Sequence, residues 1–77
     1  MNKERRSRLR SVISALNQVV ADLDAIKDDE QDSLSNLPEN LQNSDNAHTM
    51  EDAVDALGDA VSSINDAIRY IDDACDA

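Results

Sequence analysis

The sequence predicts an all-α protein: an antiparallel two-helix coiled-coil hairpin that can dimerise into a four-helix bundle. Three observations carry that prediction. Residues 51–77 repeat every seven positions, residues 9–26 carry apolar side chains at alternating spacings of three and four, and the one proline, Pro38, stands between the two patterns. Alternation of three and four keeps apolar side chains on one side of a helix. A strict seven-residue period keeps that stripe facing a partner helix along its whole length.

In the first pattern, Leu9, Val12, Leu16, Val19, Leu23 and Ile26 form the predicted seam, with Ile13 and Val20 as a second apolar column that Lys27 ends. The predicted helix runs over about 3–35. Proline disfavours helical dihedrals at the residue before it and suits the first position of a new turn. Pro38 therefore predicts a break followed by a short helical turn over 38–43, and the polar stretch 43–48 reads as loop. Thr49 is the candidate cap of a second helix over about 50–76, with Asp52 as a weak capping-box carboxylate. Its seam is Met50, Val54, Leu57, Val61, Ile64, Ile68, Ile71 and Cys75. Beside the seam runs a column of small residues, Ala53, Ala60, Ala67 and Ala74, and beyond it a column of acids, Asp52, Asp59, Asp66 and Asp73.

Facing residues of an antiparallel pair have a nearly constant sum of residue numbers. Leu9 with Cys75, Leu16 with Ile68, Leu23 with Val61 and Leu34 with Met50 share one sum; Val19 with Ile64 and Ile26 with Leu57 fall one short of it. That register sets Arg8 and Arg10 beside Asp73 and Asp76, offsetting a basic first turn and an acidic last turn that each oppose their own helix dipole. A two-helix hairpin leaves the extra apolar columns partly wet. A homodimer, or docking on a partner, would bury them.

Composition narrows the rest. Seventy-seven residues make one small domain, built from Leu, Ile, Val and Ala because there is no Phe or Trp and only one Tyr. The lone Cys75 cannot make an internal disulfide, the charged N-terminus is followed by no apolar signal region, and no run is long enough to span a membrane. A cytoplasmic protein is expected, with no membrane association. Five of the seven basic residues (Lys3, Arg5, Arg6, Arg8, Arg10) lie in the first ten positions; of the 17 acids, all but Glu4 lie beyond them, against only Lys27 and Arg69. Phosphates would be repelled by most of this surface, so direct nucleic-acid binding is disfavoured, and partners with a basic surface or a nucleic-acid groove are favoured.

No catalytic, cofactor or metal constellation stands out. His48 is the only histidine, with no Ser or Cys placed for it to activate, and Cys75 occupies a seam position where burial suits it. Asp28, Asp29, Glu30 and Asp32 lack the glycine and ligand alternation of a calcium loop, and no Glu-x-x-His pair offers a di-metal site. An enzyme is not expected. The basic first turn either grips phosphate or balances the acidic helix ends. The candidate partner-binding residues are Asp52, Asp55, Asp59, Asp66, Asp73, Arg69 and Tyr70. Aspartates one heptad apart lie about 10.5 Å apart along the axis and can imitate a phosphate backbone, or can simply keep the chain soluble. Arg69 and Tyr70, the only Arg and the only aromatic on the second helix, read as an interface hot spot or as a chance surface pair.

The stretches "NKERRSRLR", "DDEQDSLSNLPENLQ" and "NLPENLQNSDNAHTMEDAVDAL" resemble a group of small acidic proteins of phages and integrated mobile elements of Gram-positive bacteria. The resemblance spans nearly the whole chain, and Asn-Leu-Pro-Glu-Asn-Leu-Gln is its distinctive motif. This chain has Asp-Asn-Ala-His where that group has more charged residues, and no site residue transfers. The resemblance implies a setting: phage accessory genes commonly encode compact inhibitors of host defence nucleases, anti-CRISPR proteins among them, acting in the bacterial cytoplasm. The expected function is therefore a phage-type inhibitor that binds a host nucleic-acid-handling defence protein, such as a CRISPR effector, through its acidic helical surface. The alternative is a structural or adaptor coiled coil that assembles with another helical partner.

Overall fold

Asn2 starts the first helix. Its backbone is extended, and its side-chain oxygen accepts the N–H of Arg5 at 2.8 Å, which satisfies one of the free donors of a helix start. A computed structural model describes Met1 to Ala77, and in it helix α1 runs over Lys3–Ser35. Asn36 leaves the helix at φ −92° and ψ 1° while its N–H still bonds the Asp32 carbonyl. Leu37 is half-buried, Pro38 is extended at ψ 146°, and Glu39–Leu41 form one 3-10 turn. The direction of the chain reverses without any residue of positive φ, so no glycine is needed in the turn.

Helix α2 runs over Asp45–Cys75. Ser44 caps it, accepting the N–H of Ala47 on its hydroxyl oxygen at 3.1 Å and donating its own hydroxyl to the Leu41 carbonyl at 2.7 Å. The start therefore lies at Ser44 and not at Thr49, and residues 45–48 are helix rather than loop. The reason is packing as much as capping. One extra turn brings Ala47 to the seam three residues before Met50, where it is completely buried. Thr49 lies inside the helix and donates its hydroxyl to the Asp45 carbonyl at 3.0 Å.

The two helices pack antiparallel as a rod whose backbone extends 59 × 15 × 11 Å. Its radius of gyration, 17.5 Å, exceeds the ~11–12 Å of a compact chain of this length. Only Ala47 and Cys75 are buried. The remaining seam residues are half-buried, as expected when each helix covers the other along one stripe.

That stripe corrects the predicted seam of α1. The half-buried residues of the seam are Arg6, Leu9, Ile13, Leu16, Val20, Leu23, Lys27, Glu30 and Leu34, with Asp24 half-buried beside it, whereas Val12, Val19 and Ile26 are 45%, 42% and 54% exposed. The column expected to stay wet is the covered one. With Ile13, Val20 and Lys27 in the seam, every layer keeps one register: Ile13 opposes Ile71, Val20 opposes Ile64, Lys27 opposes Leu57, and Leu37 opposes Ala47. Lys27 makes this possible because its long apolar stem lines the seam while its ammonium reaches out to Asp24 at 3.9 Å.

Two stability predictions follow from these assignments. Replacing the seam residue Lys27 with Leu should stabilise the hairpin by about 1 kcal/mol through added apolar burial, whereas Leu16→Asp should largely unfold it; thermal melts followed by circular dichroism check both. Ser44→Ala should cost about 1 kcal/mol by removing the cap, while Thr49→Ala should leave the melting temperature nearly unchanged.

Candidate functional site

Helix α2 presents its acids where the heptad period puts them. Asp52, Asp59, Asp66 and Asp73 are all exposed, as is Asp55 on the adjoining column. They share the side of α2 opposite the seam, along a 31-residue helix. Asp66 is the only one of the five with a cation in reach: Arg69 Nη2 approaches its Oδ1 at 3.2 Å, one helical turn away. The Arg69 guanidinium also lies 5.5 Å from the centre of the Tyr70 ring. Arg69 is thus held between a carboxylate and a ring face, and Tyr70, 66% exposed, is the most open of the large apolar side chains.

The seven predicted residues do not form one cluster. The five aspartates make a ladder down the back of α2. Arg69 adjoins that ladder through Asp66, and Tyr70 lies on the column next to it, toward the flank that carries the alanines. The heptad period made the ladder readable in the sequence; the engagement of Arg69 by its neighbours depends on rotamers that no sequence pattern specifies.

The basic first turn is used differently from the pairing set out above. No ion pair joins Arg8 or Arg10 to Asp73 or Asp76, because those aspartates lie on the outer columns of α2 and the arginines on the flanks of α1. Arg6, which occupies the seam column, reaches across instead: its Nη2 donates to the Ala77 backbone oxygen at 3.1 Å, and the Met1 ammonium donates to the same oxygen at 3.2 Å. Arg6 Nε is covered and has no acceptor. These contacts close the end of the rod at which Cys75 is 3% exposed. Sequence reasoning missed Arg6, whose signal was its place one heptad before Ile13.

Two hollows open on the surface. One, of about 270 Å³, is lined by Met1, Arg5, Arg8, Leu9 and Val12. The other, of about 600 Å³, lies near the turn and is lined mostly by polar groups, Glu39, Gln42, Asn43 and Glu51 among them. His48 pairs with Glu51 at 3.5 Å on the exposed side of α2. No three His, Cys, Asp or Glu side chains stand together in a way that could hold a metal ion. No helix is long and apolar enough to cross a membrane. No family model, curated protein or solved structure matches this chain.

Because the ladder is exposed and largely unpaired, its charges repel one another. Changing Asp52, Asp59, Asp66 and Asp73 together to Asn should leave helicity unchanged and raise stability by an amount on the order of 1 kcal/mol or less. Arg69→Ala should shift the melting temperature little, since exposed ion pairs are worth about 0.2–1 kcal/mol.

Proposed function

We propose that this protein is a binding inhibitor of phage type, acting on a host nucleic-acid-handling defence protein through the acidic face of α2. One observation carries the reading: a column of exposed aspartates at heptad spacing, with a single internal cation, on a chain of net charge −10. Carboxylates fixed at intervals of about 10.5 Å on a rigid rod offer a basic groove the charge it ordinarily takes from phosphates. The backbone of the rod extends 59 Å along its axis, so α2 can lie lengthwise along such a groove. The rigidity matters: helical carboxylates need no ordering on binding, unlike those of a flexible acidic tail. CRISPR effectors are one class of target with such a groove, and the resemblance to phage accessory proteins supports that setting.

The partner-binding role divides among the residues by position. Asp52, Asp55, Asp59, Asp66 and Asp73 supply charge along the groove. Arg69 orders Asp66, and Tyr70 offers an aromatic edge beside the ladder. The alternative reading, an adaptor coiled coil that assembles with another helix, is favoured by a different observation: the exposed stripe of Val12, Val19 and Ile26 on α1.

Capture from nuclease-treated bacterial lysate, followed by binding assays on the purified target, tests the reading. The target should be a nucleic-acid-binding protein, and duplex DNA or RNA should compete with the inhibitor for it. The quadruple Asp→Asn variant should bind at least tenfold more weakly, with a shallower salt dependence than the parent. Equal inhibition by that variant, together with loss of inhibition in Tyr70→Ala, would contradict charge mimicry and assign binding to a local contact.

A further inference from the structure

One broad face of the hairpin is apolar. In an antiparallel pair, the columns that precede the first seam position of each heptad lie on the same side of the seam. On α1 that column is Arg5, Val12, Val19 and Ile26; on α2 it is Ala53, Ala60, Ala67 and Ala74. The other side carries Arg10, Asn17, Asp24 and Gln31 on α1, and Glu51, Asn65 and Asp72 on α2. The hairpin is therefore amphipathic as a whole: Val12, Val19, Ile26 and Ala67 are exposed on this face, with Ala53, Ala60 and Ala74 half-buried between them and the seam.

We propose that a second copy of this chain covers that face, forming a two-fold symmetric four-helix bundle in which the two turns lie at opposite ends. Two observations select this occupant. The first is area. The chain exposes 5482 Å², whereas a compact protein of 8.4 kDa exposes about 4600 Å². The excess, roughly 900 Å², is close to the ~800 Å² that each partner contributes to a stable interface.

The second observation is charge. Along the outer edge of the same face, α1 carries Met1 and Arg8 at one end, Ala15 in the middle, and Asp22 and Asp29 at the other end. Such a surface is complementary to itself when turned end for end. With the two-fold axis at Val19, Val12 meets Ile26 of the second copy, and Arg8 meets its Asp29. The hollow of about 270 Å³ lined by Met1, Arg5, Arg8, Leu9 and Val12 then lies where the Ile26 side chain of the second copy arrives. Ile26 is the most exposed of the three stripe residues, and the hollow is the nearest recess of matching chemistry. Pairing with the turns at the same end would instead set α1 of one copy across α2 of the other, so that Arg8 and Asp29 would no longer meet each other. The ladder of aspartates stays on the outside of the bundle, so this inference does not depend on the inhibitory role.

Sedimentation equilibrium at micromolar to hundred-micromolar concentration tests it. The parent should have about twice the 8.4 kDa chain mass, with a melting temperature that rises with concentration. Val19→Glu should give a monomer that keeps its helical circular dichroism, because Val19 is not in the seam. Should that variant unfold, Arg8→Asp and Asp29→Arg serve in its place: each alone should weaken the dimer at least tenfold, and the double exchange should restore it. Val19→Cys in a Cys75→Ala background should cross-link to a covalent dimer under mild oxidation, since the two-fold axis sets the two introduced thiols together. A monomeric parent, a dimer indifferent to Val19→Glu and to the charge exchanges, or a dimer that fails to cross-link at position 19 would overturn the proposal.

Discussion

The antiparallel seam between α1 and α2 is the constraint on which the rest of this molecule depends. A chain with so few large side chains has no central core to fall back on, and only Ala47 and Cys75 are buried. Each seam residue gains its partial cover from one partner layer, so the free energy of folding is spread along the rod in small increments. Side chains of this kind contribute about 1.5–3 kcal/mol when fully buried and less when half-covered. A one-residue shift of register would break every layer together. Arg6 on Ala77 closes one end of the rod, and at the other the short turn ties Gln42 to the Leu37 carbonyl.

Once the register is set, the surface is set. The heptad that keeps Val54, Val61 and Ile68 in the seam sends the aspartate column to the opposite side of α2 and the alanine column to one flank. On α1 it turns Val12, Val19 and Ile26 out on that same flank, where a half-covered hairpin still has apolar surface to bury. The acidic ladder and the apolar face are thus two consequences of a single period. They point in different directions, which allows one to meet a basic partner while the other meets a second copy.

Much of this was legible in the residues, and the rest failed for identifiable reasons. The two helices and the exposure of Asp52, Asp59, Asp66 and Asp73 follow from periodicity, and the break between the helices from Pro38. The choice between Val12 and Ile13, or Val19 and Val20, does not, because the two columns are equally apolar over three turns. Apolarity favoured Ile26 over Lys27 for the next layer, and it misled, since a lysine stem can line a seam while its charge stays wet. The better signal was the sum of residue numbers: the layers of Leu9, Leu16, Leu23 and Leu34 agree with Val20 and Lys27, and differ by one from Val19 and Ile26. The early start of α2 was hidden by the polar run from Asn43 to His48, in which Ala47 is the only apolar residue and the one that packs. At the candidate site, the ladder was readable while the role of Arg6 was not, because it depends on the two chain ends meeting in space.

Methyl-to-methyl nuclear Overhauser effects in a sample labelled at Ile, Leu and Val test the central claim most directly, because they report which α1 column faces α2. The register described here predicts cross-peaks between Ile13 and Ile71 and between Val20 and Ile64. Cross-peaks from Val12 to Ile71 and from Val19 to Ile64 in their place would contradict it.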